Sequence, residues 1–71
     1  MDAATLAEAL FVSSLRPADS PAVPQVRAAI ADSLRVMGTT GCLAAMAQEF
    51  GDYPETAAAR MRWAIGLVKS L

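Results

Sequence analysis

Apolar residues recur along the chain at the three- and four-residue spacing of helices, in four runs punctuated by glycine and proline. The first run predicts a helix over 3–15, begun by Asp2 or Thr5, with Ala3, Leu6, Ala7, Leu10 and Phe11 on one stripe. Val12 and Leu15 project from another side, so this helix is either buried all round or shared with a partner. Arg16-Pro17-Ala18-Asp19-Ser20-Pro21 reads as a loop, because each proline biases the residue before it away from helix. Over 22–37, Val23, Val26, Ile30, Leu34 and Met37 share one face, and Arg27, Asp32 and Arg35 take the other. Gly38 ends that run. Thr39 or Thr40 caps a third helix over 40–50, whose apolar face is Leu43, Met46, Ala47 and Phe50.

A sharp turn follows at Gly51-Asp52-Tyr53-Pro54. Gly51 suits a helix C-cap, Asp52 and Glu55 make a capping box, and Pro54 falls in a first turn, where its missing N–H costs nothing. The fourth helix, 53–70, carries Ala57, Met61, Ala64, Ile65 and Val68 on one stripe. Trp63 and Leu67 widen that stripe well past the roughly 100° an amphipathic helix needs. Strand signals and internal repeats are absent. The expected fold is all-α: one domain over 1–71, four helices, with a helix-turn-helix or αα-hairpin in the C-terminal half.

Composition sharpens this picture. The 71 residues are 55% apolar and only 18% charged, in a chain near the lower size limit for a self-sufficient core. A homodimer or another protein partner is therefore expected. A net charge of −1 and a pI near 5.0 argue against a strong generic pull toward nucleic acid or anionic membranes. One cysteine and no histidine point to a reducing cytoplasm, nearly exclude zinc, and suggest no cofactor. Asp2 and Glu8 stand where a signal peptide needs positive charge, and no apolar run approaches the roughly 18 residues that span a bilayer.

Ala47, Gly51, Thr56, Arg60, Met61 and Ala64 lie in the frame A-x-x-x-G-x-x-x-x-T-x-x-x-R-M-x-x-A. This resembles the helix-turn-helix of sigma-factor region four and related regulators, and implies a second helix that enters the major groove. The start of that helix offers Tyr53, Glu55, Thr56, Ala58 and Ala59, with no Lys, Asn or Gln to read base edges. Thr56, Arg60 and Arg62 are its candidate phosphate contacts, and six cations against seven acids limit the counterion-release term. The segments Ala9-Leu10-Phe11-Val12-Ser13, Gly41-Cys42, Glu49 to Thr56, and Arg60-Met61-Arg62-Trp63-Ala64 also resemble short uncharacterised actinobacterial proteins. That resemblance implies a bacterial cytoplasmic protein and brings no catalytic residue with it.

Other candidates have simpler explanations beside them. Cys42 at a helix start has the place of an activated thiol but no histidine base, so a small buried hydrophobe is the plainer role. Asp32-Ser33-Leu34 matches the phosphopantetheine tripeptide of acyl carrier proteins, which implies a modified Ser33, although here the serine falls inside a helical pattern. Arg60 and Arg62 with Glu49, Asp52 and Glu55 form either a polar site or a solvated helix face. Trp63 either anchors an interface or closes the core. With no paired acid, base and nucleophile and no Gly-rich phosphate loop, the chain does not read as an enzyme. The expected job is a small interaction or regulatory protein, homodimeric, working through Phe11, Val12, Leu15, Trp63 and Leu67. The alternatives are a DNA-binding regulator and, more remotely, an acyl-carrier-like protein.

Overall fold

The computed structural model describes residues 1–71 and is all-helical. Three helices, α1 (Ala3–Phe11), α2 (Val23–Asp52) and α3 (Pro54–Lys69), are joined by a loop holding a 3-10 turn (Pro17–Asp19) and by the single residue Tyr53. No helix is long and apolar enough to cross a membrane.

Asp2 caps α1 as expected: the Thr5 N–H donates to its Oδ1 at 2.8 Å, which holds that carboxyl below its usual range. The helix stops at Phe11, four residues short of the expected Leu15. The reason is Ser13, whose buried hydroxyl donates to the Leu10 carbonyl at 2.6 Å and accepts the Leu15 N–H at 3.2 Å. A serine so placed offers the backbone an alternative to the next helical turn.

The expected second and third helices are one helical run, α2, bent at Gly38. A straight 30-residue helix would be about 45 Å long, whereas the whole molecule spans 30 Å in its longest direction. The bend is made by Gly38 alone, at φ 69° and ψ 173°, a region open almost only to glycine. It brings the Cys42 thiol within 3.7 Å of the Ser33 carbonyl, which it meets as a weak donor. In an unbroken helix those residues would be about 13.5 Å apart along the axis.

The second turn differs more. Gly51 and Asp52 are helical, Gly51 has no positive φ, and neither Asp52 nor Glu55 caps α3. Tyr53 (φ −139°, ψ 67°) makes the corner by itself, its N–H closing α2 on the Glu49 carbonyl at 2.7 Å. Pro54 does open α3.

α1 packs on both α2 and α3, which accounts for its apolar residues on more than one side. The core joins Ala7, Ala9, Leu10 and Phe11 of α1 to Val26, Ile30 and Cys42 of α2 and Ala57, Ala64 and Val68 of α3. Phe11 stacks on Phe50 with ring centroids 5.8 Å apart and planes 15° off parallel. The accessible surface is 4281 Å² for 7.4 kDa, close to the roughly 4200 Å² usual for a compact monomer of that mass. The chain therefore shelters as much area as its size allows.

Candidate functional site

A cleft of about 270 Å³ opens where the end of α1, the second arm of α2 and the middle of α3 meet. Ala45, Gln48 and Glu49 reach it from one face of α2, at the i, i+3, i+4 spacing that places side chains side by side. Val12 and Met37 supply apolar walls, and Arg16 and Arg60 face the same space.

Two local structures hold those arginines. The Arg60 guanidinium lies 5.1 Å from the centroid of the Phe11 ring, which is itself stacked on Phe50. Arg60 is half-buried and makes no hydrogen bond or ion pair. Arg16 is exposed, but one of its terminal nitrogens donates to the carbonyls of Ser13 (2.6 Å) and Leu15 (2.7 Å), so its direction is set by the end of α1. Glu49 is not within 4.0 Å of either guanidinium, since the molecule's ion pair is the exposed Arg35–Asp32 pair. Two cations and one anion thus share a cleft without neutralising one another.

A second, apolar groove of about 220 Å³ lies between Ala3 and Ala4 at the start of α1 and Ile65, Val68 and Lys69 on α3. Elsewhere, large apolar side chains face water around the bend of α2: Val36 is 64% exposed, Met37 38% and Leu43 49%. Sequence periodicity placed Met37, Leu43 and Ile65 on core stripes. The bend at Gly38 turns the first two out, and on α3 the covered face centres on Ala57, Ala64 and Val68, leaving Ile65 at its edge.

The expected interface set is drawn toward the core. Phe11 is 0% exposed at the centre of the core, and Val12, Leu15, Trp63 and Leu67 are half-buried and pack against that core. Trp63 helps close the fold. The physical reason is the double coverage of α1, which uses its second apolar side within the molecule. Of the expected DNA contacts, Thr56 and Arg60 are i, i+4 neighbours on α3, and Arg62 lies on another side. Successive helical residues turn by about 100°, so Arg60 and Arg62 point about 160° apart, and Arg60 is turned onto Phe11.

Ser33, the carrier-like serine, is 5% exposed inside α2, where a modifying enzyme would not reach its hydroxyl. Cys42 is fully buried, and burial, with a smaller push from the Glu8 charge, raises its thiol above the ordinary value. It is a packing residue, as its lack of a base suggested. Compared with protein families, characterised proteins and solved structures, the chain gives no significant match.

Proposed function

We propose that this protein is a small non-enzymatic interaction module, working as a homodimer through the apolar surface around the bend of α2. One observation carries the reading. In a domain whose core is complete and whose total surface is ordinary, Val36, Met37 and Leu43 still stand exposed within eight residues of one another. The stretch from Val36 to Gln48 also holds no charged residue. Covering that stretch itself desolvates no charge, and Arg35 and Glu49 fall at its ends, in keeping with the charge-poor centres and polar rims of protein interfaces. A twofold contact repeats the same patch on both sides. A standard interface takes about 800 Å² per partner, near a fifth of the 4281 Å² surface, so flanking residues on α2 belong to the contact as well.

In this reading the corner at Tyr53 is a packing device, and the α2–α3 pair is a helical hairpin without a DNA-reading role. Support comes from the divergent arginines and from the start of α3, where Ala57, Ala58 and Ala59 have no hydrogen bonds to offer base edges.

Sedimentation equilibrium tests the dimer. The wild type is expected to dimerise within the concentration range up to about 1 mM, which detects association as weak as about 4 kcal/mol. The double substitution Val36→Glu, Leu43→Glu should give a monomer with an unchanged helical spectrum. A wild type that stays monomeric to that concentration, with concentration-independent amide shifts, would overturn the proposal.

A further inference from the structure

We infer that the cleft between Arg16 and Arg60 is a binding site for a small organic monocarboxylate with an apolar tail. The cleft shares Met37, Ala45 and Gln48 with the stretch proposed for the dimer, but the inference rests on the donors of Arg16 and Arg60, which lie outside that stretch.

Arg60 is the starting point. Its guanidinium is planar, always charged and rich in donors, and it sits half-buried with none of those donors satisfied by the protein. Its central carbon lies 5.1 Å from the Phe11 ring centroid and no hydrogen bond or ion pair takes its N–H groups, which leaves them for a carboxylate to meet in fork geometry. Arg16, in the loop after α1, lines the same cleft with one terminal nitrogen spent on two carbonyls and no hydrogen bond on the other N–H groups of its side chain. Both cations are held before any ligand arrives, which removes most of the ordering cost of binding. Gln48 adds a neutral donor and acceptor on the α2 side.

Charge and shape then narrow the ligand. Arg16 and Arg60 against Glu49 leave a net charge of +1, which one carboxylate neutralises and which a phosphate dianion would overshoot. The remaining wall is Val12, Met37 and Ala45, so the part of the ligand behind its head is apolar. A volume of about 270 Å³ suits a molecule of modest size.

Titration of the full chain with sodium hexanoate, followed by amide and arginine Nε–H shifts, tests the site; inorganic phosphate at matched ionic strength is the comparator. Saturable shifts are expected at Ala45, Gln48, Glu49 and the Arg60 Nε–H, with half-saturation near about 1 mM for so few non-hydrogen atoms. Arg60→Gln and Arg16→Gln should each weaken binding by about tenfold or more, the effect of losing a charged hydrogen-bond donor. Glu49→Gln should strengthen it several-fold, a change of sign that a purely structural role would not produce. Because Arg60→Gln also strips the cation from Phe11, the exposed Arg16→Gln keeps the test open if the first variant unfolds. Absence of saturation, phosphate binding tighter than hexanoate, or shifts centred on Val36 and Leu43 and indifferent to both arginine variants would each overturn the inference.

Discussion

Replacing Gly38 by alanine isolates the cost of the bend in α2. A Cβ built at this position meets nothing within 4 Å, so no clash enters and the backbone conformation alone decides the outcome. At φ 69° and ψ 173° an L-residue sits in a region essentially reserved for glycine, at about 1–3 kcal/mol. Against this, alanine narrows the unfolded ensemble, a gain of about 0.4–1 kcal/mol. The net loss is about 1–2 kcal/mol, and at about 4–8 °C per kcal/mol for a domain of this size the midpoint should fall by roughly 5–15 °C. The variant cannot escape by straightening α2, because an unbroken helix would pull Cys42 away from Ser33 and take one arm off α1. The chain is short enough for chemical synthesis, which allows D-alanine at the same site. For a D-residue this φ and ψ mirror ordinary extended backbone, so D-alanine should match or exceed glycine in stability. Thermal and urea unfolding followed by circular dichroism measure both. If L-alanine proved as stable as glycine, or D-alanine as damaging as L-alanine, the bend would not depend on glycine's backbone freedom.

Other expectations follow from the same structure. Phe11→Ala should cost about 3–5 kcal/mol, a large part of the roughly 4–11 kcal/mol available to 71 residues, read as a strongly lowered urea midpoint by circular dichroism; a variant as stable as the wild type would return Phe11 to the surface. Gly41→Ala should destabilise by about 1–2 kcal/mol, because its Cβ would lie 3.0 Å from the Met37 Cβ. Gly66→Ala, in open space on α3, should stabilise by about 0.5–1 kcal/mol, so urea midpoints should move in opposite directions for the two. The raised Cys42 thiol means that the unfolded chain ionises first: stability is full below the free thiol's ordinary value of 9.0 and falls as pH rises above it. Cys42→Ala should remove that part of the alkaline decline in urea titrations, and a slope unchanged by the substitution would exclude the thiol as its source.

Residues whose environment is set by near neighbours were legible from the sequence. Asp2 was readable as a cap, Gly38 as a break, and Val26, Ile30, Leu10 and Ala64 as core, because helical spacing and glycine chemistry act locally. The early stop at Ser13 was not, since a serine can face water or turn back on its own helix, and only the packing around Leu10 decides. Coverage of α1 from two sides also lies beyond periodicity. A second apolar stripe looks the same whether α3 of the same chain or another molecule covers it, and for this reason Phe11, Val12 and Leu15 read as an interface. The cleft was least visible of all. Arg16 follows α1, Gln48 and Glu49 belong to α2 and Arg60 to α3, and no spacing in the chain announces that three elements converge. Arg60 and Glu49 were singled out together, as a polar site or a solvated face, but grouped with Arg62, Asp52 and Glu55 in place of Arg16 and Gln48, and Val12 was read as an interface residue.

The place of α1 between the other two helices governs how this protein is born. Phe11 is made before the residues that must close over it, out to Ala64 and Val68. At about 5–20 residues per second, Val68 trails Phe11 by roughly 3–11 s. For that interval a greasy nine-residue amphipathic segment, α1, has nowhere of its own to go. Newly made chains thus expose α1 while they wait, and their yield in a cell should track the supply of chaperones that shield nascent apolar segments.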